Sequence, residues 1–362
     1  MKNEFDNRYL CHVKKVDFLI VGQGITGSAL ALELIRRGKS VAIIDEPRLS
    51  SSSRIAGGVY NPFNFKFMMN LWMAKEMMQC AKELYVYAEE VSGKKIHDEK
   101  KIFKILTDAE RKQWEHATLM RTGLFAGEEI LEVIPDGINA TYGIGVVSGA
   151  GKIDTTEFIK AVHDVVSTNG NFFHEKFDHE LLELTNEGVS YSGKISADKI
   201  IFCEGHLAKE NPLFNFVPFK PAKGQLLHVE IPGLKSDAIL SRGVSLLPLG
   251  NDHFILSGTF ENGQYDEDVT IQAEEELVSK AKKFISLPIH VKEHFAGVRP
   301  ATQDRRAVVG IHPSKKNVAI INGTGSRTVL LAPFLAKALA DNLETGKTIP
   351  IEVSVNRFLR MV

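Results

Sequence analysis

The chain has 362 residues, of which 44% are hydrophobic and 25% charged. These values are typical of a folded globular protein and exclude extended disorder and a coiled-coil rod. The length predicts two domains, enough to bury a core without disulfides or structural metals. Lysine and arginine total 44 against 45 aspartates and glutamates, a net charge of −1. That balance lacks the basic excess of a dedicated nucleic-acid binder, although it is compatible with a local basic patch.

The cysteines and the N-terminal residues indicate the cellular compartment in which the protein is expected to function. Cys11, Cys80 and Cys203 share no short spacing, so the sequence contains neither a zinc knuckle nor a CxxC redox pair. The odd number argues against a secreted disulfide framework, and the scattered histidines predict no metal site. Residues 1–15 predict a polar leader without the apolar core of a signal peptide. We therefore expect a cytoplasmic protein that does not enter the membrane.

The first elements form a βαβ unit. Residues 17–22 include four consecutive apolar residues, which predict a buried strand of a parallel sheet. Residues 28–37 predict a helix, and Gly38 follows it at the position where glycine ends helices. Residues 40–45 predict a second buried strand. The unit has the length that dinucleotide-binding folds use.

Helices and strands continue along the chain, with a change of pattern after residue 217. In order, the predicted elements are a Ser/Gly-rich loop over 50–64, helices over 71–91, 109–121 and 153–167, and strands over 172–185, 188–191 and 199–203. Asp154, Thr155 and Thr156 compete as the N-cap of the third of these helices. Residues 218–260 then predict an antiparallel meander of short strands separated by turns. The last elements are a helix over 272–285, strands over 307–311 and 317–322, and a helix over 330–343.

These elements predict an α/β fold, α+β overall, with two interleaved domains. Parallel strands from the start, middle and end of the chain would share one sheet, in a Rossmann-like dinucleotide-binding domain. The meander would belong to an antiparallel-sheet substrate domain inserted into the first. The predicted division assigns 16–64, 145–217 and 297–362 to the first domain, and 65–144 and 218–296 to the second.

A glycine-rich motif follows the first strand. Gly22, Gly24 and Gly27 have the spacing GxGxxG, in the order strand, motif, helix. Gly22 permits the tight turn out of the strand, and Gly24 lets the backbone approach a pyrophosphate. Gly27 allows the helix to pack closely on the sheet. The sequence therefore predicts a dinucleotide site at this turn.

The residues around the motif support the same site. Ile25 and Thr26 lie within the motif and are expected to contact the cofactor. The helix predicted over 28–37 would present free N–H groups and its positive dipole end to phosphates. Asp45 ends the second strand, 18 residues beyond Gly27. A carboxylate there accepts hydrogen bonds from adenosine ribose hydroxyls and repels a 2′-phosphate. The motif alone does not separate NAD from FAD.

Four segments later in the chain indicate which of these two cofactors is bound. They are residues 51–58 (SSSRIAGG), 200–205 (IIFCEG), 297–304 (GVRPATQD) and 320–333 (IINGTGSRTVLLAP). With the glycine motif they resemble the D-amino-acid oxidase superfamily of FAD enzymes. The most similar branches are glycine oxidase, sarcosine oxidase and the FAD domain of the bifunctional tRNA 5-methylaminomethyl-2-thiouridine enzyme. The resemblance extends over residues 16–358 and is loose only in residues 65–140.

The resemblance implies a FAD-binding domain and a set of cofactor residues. Asp45 and Glu46 would meet the adenosine end, Phe177 would lie near the adenine, and Gly205 would form a tight turn. FAD would be bound non-covalently, because no cysteine occurs near Arg299, where sarcosine oxidases attach the flavin. The remaining residues would line the ribityl–flavin path or bring backbone N–H groups to the flavin pyrimidine edge: Ser52, Ser53, Gly57, Gly58, Val59, Thr324, Gly325, Ser326, Arg327, Thr328, Val329 and Leu330.

Thr328 departs from the family pattern, which usually has glycine at this position. A threonine there either narrows the space beside the flavin or imposes a different backbone turn. The neighbouring pair Ser326 and Arg327 is more like the tRNA-modifying branch.

Arg299 is the leading candidate for substrate binding. In the glycine-oxidase branch the matching arginine of the G-x-R-P motif holds the substrate carboxylate, which suits the planar guanidinium. The alternative is a salt bridge from Arg299 to Asp304. Tyr60, which follows the flavin loop, is a second catalytic candidate, against a role in packing. Glu204 would pair with Arg54 or face solvent.

The resemblance implies oxidation of the C–N bond of a small amino acid or N-substituted glycine by hydride transfer to flavin N5. The alternative is a tRNA-modification oxidase acting on carboxymethylaminomethyl-uridine, which Arg54 and Arg327 favour and the balanced charge disfavours. A flavoprotein without turnover is disfavoured by Arg299 beside an intact motif. In sarcosine oxidases a lysine above the flavin promotes reaction with oxygen. Leu256 aligns with it here, which leaves the electron acceptor open.

Overall fold

The structure, a computed structural model, describes residues 13–46, 51–121, 123–168 and 170–361. Its strands are β1 (Lys14–Val21), β2 (Val41–Asp45), β3 (Val59–Tyr60), β4 (Phe63–Asn64), β5 (Met69–Asn70), β6 (His97–Ile105), β7 (Ala126–Leu131), β8 (Ile144–Ile153), β9 (Phe172–His174), β10 (Leu182–Leu184), β11 (Val189–Tyr191), β12 (Ile195–Phe202), β13 (Ala222–Glu230), β14 (Ile239–Ser241), β15 (Ser245–Gly250), β16 (His253–Ser257), β17 (Glu261–Asn262), β18 (His290–Arg299), β19 (Val308–His312) and β20 (Lys315–Asn322). Its α-helices are α1 (Ile25–Arg36), α2 (Ser52–Ile55), α3 (Ala74–Ser92), α4 (Asp108–Met120), α5 (Thr155–Thr168), α6 (Ile271–Ala281) and α7 (Thr328–Thr345).

The first sheet has a parallel core in the spatial order β9, β2, β1, β12, β20. Strands β10, β11 and β19 extend it with antiparallel pairings. The predicted parallel sheet, built from the start, middle and end of the chain, is therefore confirmed. Chain order reverses at β1, because β2 pairs on one side of it and the much later β12 on the other. Open parallel sheets bind ligands at the carboxyl ends of the strands beside such a reversal.

Helices α1, α3, α5 and α7 pack with the first sheet around a shared apolar core. An ion-pair network joins two of them. Arg37, which follows α1, pairs with Glu33 at 2.7 Å, with Asp341 of α7 at 2.7 Å and with Glu344 of α7 at 2.8 Å. The Glu33 side chain is only 2% exposed. A buried carboxylate needs such partners, so the network fixes the end of α1 against α7.

The second sheet has the order β17, β13, β16, β15, β14, β6, β8, β3, with β18 on β13 and β7 on β8. The pairings are antiparallel except for the parallel pair of β6 and β14. The predicted antiparallel sheet is confirmed. However, β3 and β8 belong to this sheet, whereas the predicted division placed residues 59–60 and 145–153 in the first domain. A strand belongs to the sheet whose strands it pairs with, and β3 pairs with β8, about 90 residues further along the chain. The local sequence of either strand does not specify this pairing.

Several element boundaries also differ from the prediction. The predicted leader extends to residue 15, but β1 begins at Lys14, so the predicted end of the leader is wrong. Residues 1–12 of the predicted leader lie outside the described residues. The Ser/Gly-rich loop contains the short helix α2. The strand predicted over 172–185 is two short strands, β9 and β10, separated by residues 175–181, which include a 3-10 helix over His179–Leu181. Asp154 is the cap of α5, because its Oδ1 accepts a hydrogen bond from Glu157 N at 2.9 Å.

The glycine motif brings α1 against the end of β1. A Cβ at Gly27 would lie 1.9 Å from the Gly22 carbonyl oxygen, far inside any allowed contact. Gly22 has a φ of +96°, and a Cβ there would lie 2.5 Å from the Cys203 carbonyl oxygen. Both positions therefore require glycine, as the close packing of helix on strand predicts. Gly38, with a φ of +76°, follows α1 in the left-handed conformation expected of a helix end.

None of the helices in the described ranges is long and apolar enough to cross a membrane.

Replacing Gly27 with alanine should destabilise the fold by about 3 kcal/mol, the upper end for an overpacked position. Urea unfolding followed by circular dichroism measures the change. Gly127→Ala is the matched control, because a Cβ there would meet only the Val146 carbonyl oxygen at 3.6 Å, an ordinary contact. A Gly27→Ala protein as stable as the wild type would contradict the close packing described here.

Candidate cofactor and substrate site

A pocket of about 530 Å³ opens at the carboxyl ends of the parallel strands and extends to the second sheet. Val21 of β1, Asp45 of β2 and Ile321 of β20 line it from the first sheet. Gln225 of β13 and Arg299 of β18 line it from the second. The pocket thus lies beside the reversal of strand order, and both sheets contribute to it.

Most residues predicted to bind the cofactor line this single pocket. They are Gly22, Gly24, Ile25, Thr26, Asp45, Glu46, Ser52, Ser53, Gly57, Gly58, Val59, Phe177, Gly205, Gly325, Ser326, Thr328 and Val329. Four others do not line it. Thr324 and Leu330 are buried, at 4% and 1% exposure, while Arg327 is exposed to solvent. Gly27 acts through the packing of α1 on β1.

The glycine turn, α1 and α2 meet at one wall of the pocket. Ile25 N donates a hydrogen bond to Ser53 Oγ at 3.2 Å, and a Cβ at Gly24 would lie 2.8 Å from the same oxygen. Gln23 N donates to Asp45 Oδ1 at 2.9 Å. Apart from the bond from Ile25 N to Ser53 Oγ, no side chain in the described ranges caps the N-terminus of α1. Its first-turn N–H groups and its dipole therefore suit an anion such as a phosphate.

A polar cluster lies in the wall near Phe177. Phe177 stacks on Tyr191 with ring centroids 4.8 Å apart. Asn211 Nδ2 donates to Glu204 Oε2 at 2.7 Å, and His179 Nε2 lies 3.8 Å from Glu204 Oε1. The expected pairing of Glu204 with Arg54, or its exposure to solvent, is wrong. A nearby amide, supplied by the segment that follows β12, satisfies the carboxylate instead.

Thr328 ties together the turn before α7. Its Oγ1 donates to the Gly325 carbonyl oxygen at 2.9 Å and lies 2.7 Å from Thr324 Oγ1. Thr328 also lines the pocket. The departure from glycine therefore places a hydroxyl where it fixes the backbone turn over residues 325–327.

Arg299 lies flat across β13 at the other end of the pocket. A Cβ at Gly224 would lie 2.1 Å from the guanidinium carbon, so only glycine leaves the space that Arg299 fills. Arg299 Nη1 donates to the Thr259 carbonyl oxygen at 3.0 Å. Burial lowers the pKa of Arg299, and the charge of nearby Glu261 raises it in part. Arginine side chains stay protonated in folded proteins, so the guanidinium is a cation at neutral pH.

The salt bridge considered between Arg299 and Asp304 is absent. Arg357 Nε donates to Asp304 Oδ2 at 2.9 Å, and Thr302 Oγ1 donates to Asp304 Oδ1 at 2.7 Å. Among the described residues, no carboxylate lies within ion-pairing distance of Arg299. A partly buried cation with no carboxylate partner is suited to bind an anionic ligand group.

Tyr60 does not line the pocket, so the predicted catalytic contact with substrate is wrong. Its hydroxyl lies 2.6 Å from His97 Nε2, and both residues line a separate cavity of about 270 Å³ with Tyr85 and Lys82. Side chains alternate along a strand, and in β3 the preceding Val59 lines the pocket. Tyr60 therefore faces the opposite way. Burial raises the pKa of its hydroxyl.

Two other expectations concern buried residues. Leu256 is fully buried in the core of the second sheet and does not line the pocket, so its side chain is not placed to act on a ligand there. Cys203 is buried between β12 and the glycine turn, and burial raises the pKa of its thiol. It packs as a small apolar residue, as expected.

The described residues contain no cluster of side chains able to hold a metal ion.

Two polar residues of the pocket, Asn322 and Gln225, were not predicted from the sequence. Asn322 lines it from the end of β20, and its buried Nδ2 has no hydrogen-bond partner among the described residues. Gln225 N donates to Thr259 Oγ1 at 2.6 Å, and its side chain donates to Glu261 at 2.7 Å. Asn322 could have been found, because it ends a predicted parallel strand. Gln225 could not, because its partners Thr259 and Glu261 lie 34 and 36 residues further along the chain.

The fold and the pocket define an α/β enzyme with a dinucleotide site. The family model described as FAD dependent oxidoreductase (DAO) matches residues 17–342. The chain belongs to this family, and the resemblance to it stated from the sequence is confirmed.

Individual relatives cover nearly the whole chain. The glycine oxidase of Geobacillus kaustophilus is 22% identical over 358 residues, covering 92% of this chain and 94% of that protein. Its crystal structure matches with a TM-score of 0.81 at 19% identity, covering 94% and 97% of the two chains. L-proline dehydrogenase from P. horikoshii matches with a TM-score of 0.79 at 20% identity, covering 96% and 99%. The tRNA 5-methylaminomethyl-2-thiouridine biosynthesis protein of Idiomarina loihiensis is 27% identical over 180 residues, only 45% of this chain and 29% of that protein.

The residues of the pocket fit FAD. The α1 N-terminus suits the pyrophosphate and Asp45 suits the adenosine ribose, as the dinucleotide fold requires. Asn322 Nδ2 supplies a buried donor that a bound polar group would satisfy.

Replacing Thr328 with valine keeps the shape of the side chain and removes both of its hydrogen bonds. We expect the FAD dissociation constant to rise roughly fivefold, the equivalent of one net hydrogen bond. Quenching of flavin fluorescence on binding measures it. Thr345→Val is the matched control, because Thr345 Oγ1 donates to the Asp341 carbonyl oxygen at the far end of the same helix. Equal affinities for the two variants would contradict a role for Thr328 at the site.

Proposed function

We propose that this enzyme oxidises the C–N bond of a small amino acid or N-substituted glycine, with FAD held non-covalently in the pocket. The observation that carries the substrate class is Arg299, a cation at the pocket wall with no ion-pair partner among the described residues. Its planar guanidinium matches a carboxylate, and the remaining N–H groups are available for a bidentate pair. The full-length similarity to a glycine oxidase supports the same class.

Arg299 would act by orientation. Thr259 holds one end of the guanidinium, and Gly224 lets it lie against the sheet, so the cation has a fixed position. A substrate carboxylate bound there places the adjacent carbon and nitrogen at a defined distance from the sheet. Fixing the reacting carbon in this way lowers the entropic part of the barrier.

Bound FAD supplies the two-electron acceptor for the oxidation. The substrate would lose a C–H hydrogen with its electron pair to that acceptor and the N–H proton to water, and a C=N bond would form. A dedicated base is not required if the amine binds in its neutral form. Water then adds to the imine, which breaks down to a carbonyl compound and an amine.

Three further expectations belong to the proposal. Residues 297–304 contain no cysteine. Cys203 lines the pocket, but burial raises the pKa of its thiol and so disfavours the nucleophilic thiolate. Both observations support a non-covalent flavin. The chain would divide into a FAD-binding part around the first sheet and a substrate part around the second. The low cysteine content supports a cytoplasmic location.

Oxidation of a modified uridine in tRNA is the second candidate. Arg54 lines the pocket, and the similarity to the tRNA-modifying protein covers part of this chain. Arg327, which also favoured this candidate, lies outside the pocket lining. The net charge of −1 disfavours a nucleic-acid substrate.

Arg299→Met should lower kcat/KM for amino-acid substrates at least a hundredfold, about 3 kcal/mol of transition-state binding. Loss of the flavin's visible absorbance without oxygen measures the reaction whichever acceptor is natural. The panel contains glycine, sarcosine, larger amino acids and carboxymethylaminomethyl-modified tRNA. Arg306→Met is the matched control, because Arg306 is exposed and does not line the pocket.

An unchanged kcat/KM in Arg299→Met would contradict the role of this arginine. Reduction of the flavin by the modified tRNA alone would replace the first candidate with the second.

Denaturation should release the flavin. We expect acid precipitation of the yellow protein to leave all the FAD in the supernatant, with the mass of the polypeptide unchanged. Colour retained in the precipitate, with a polypeptide heavier by one flavin, would contradict non-covalent binding.

A further inference from the structure

Helix α7 contains a proline, Pro333, in its second turn. In a regular helix the amide of residue 333 would donate to the carbonyl of Val329, four residues earlier. Proline has no amide hydrogen, so this donor does not exist. Val329 is 5% exposed, and a buried carbonyl without a donor is costly.

Tyr85 of α3 supplies a donor in its place. Its hydroxyl donates to the Val329 carbonyl oxygen at 2.7 Å. Tyr85 is 1% exposed, and its ring packs edge-on against Phe158 with centroids 5.1 Å apart. Burial raises the pKa of its hydroxyl far above the ordinary value, so the proton stays on the oxygen.

The bond acts on the part of α7 that meets the pocket. Val329 and Thr328 both line the pocket, and they form the first turn of the helix. The N–H groups of that turn have no partners within the helix and are the ones that a bound ligand can meet. Tyr85 itself does not line the pocket. It reaches the site only through the backbone of Val329.

We propose that Tyr85 is a positioning residue, which replaces the hydrogen bond that Pro333 removes and so holds the first turn of α7 in register with the bound flavin. The inference rests on the proposed function in one respect, that FAD occupies this pocket. Through Tyr85, helix α3 would therefore support the cofactor site without contacting the pocket.

The test is a double-mutant cycle of Tyr85→Phe and Pro333→Ala. Phenylalanine keeps the ring that packs on Phe158 and removes only the hydroxyl. Alanine at 333 restores the amide that would donate to Val329. Tyr87→Phe is the matched control, because Tyr87 lies on the same helix and its hydroxyl makes no hydrogen bond among the described residues.

Three quantities are measured on each protein: the FAD dissociation constant, the midpoint potential of the bound flavin and the melting temperature without FAD. Tyr85→Phe should raise the dissociation constant about tenfold and make the potential more negative, because the first-turn amides lose their alignment with the reduced flavin. Pro333→Ala and Tyr87→Phe should each stay within about twofold of the wild type. The double variant should recover most of the affinity and the potential.

Each other outcome overturns a defined part of the account. Wild-type protein that does not bind FAD contradicts the proposed function itself. If the wild type binds and Tyr85→Phe keeps its affinity and potential, the role of Tyr85 is wrong even if its melting temperature falls. If the double variant binds FAD as weakly as Tyr85→Phe, or melts at as low a temperature, then Tyr85 does not act through its hydrogen bond to the Val329 carbonyl.

Discussion

The close contact between Gly27 and the Gly22 carbonyl is the constraint on which the rest of the site depends. Because neither position tolerates a Cβ, α1 starts immediately above the end of β1 and directs its N-terminal N–H groups into the pocket. Asp45 and Ser53 then bond to the same turn, from β2 and α2. One short approach of two backbone segments therefore fixes the dinucleotide end of the site.

A second pair of glycines connects this end to the second sheet. Gly224 and Gly297 face each other on β13 and β18. A Cβ at Gly297 would lie 2.6 Å from the Ile55 side chain of α2, and one at Gly224 would collide with Arg299. The absence of two side chains thus lets α2 and the guanidinium lie on one face of the second sheet. The cation and the phosphate-binding turn share a pocket for this reason.

The sequence predicted the features that depend on neighbours along the chain. The βαβ unit, the glycine motif and the end of α1 at Gly38 are local, and all are confirmed. The features that the sequence did not predict correctly depend on residues that are distant along the chain. Tyr60 faces away from the pocket because β3 pairs with β8, and Asp304 is held by Arg357 rather than Arg299. Such pairings follow from the assembled sheets, and nothing in the local sequence of either residue specifies them.

The central claim is that a carboxylate bound by Arg299 presents the C–N bond for oxidation. The most direct measurement compares glycine and sarcosine with their amides as reductants of the bound flavin in the absence of oxygen. Each amide keeps the amine and the reacting carbon and removes only the anionic group. The account predicts rapid loss of flavin absorbance with an amino acid, and a rate at least a hundredfold lower with its amide. Equal rates for acid and amide would contradict it.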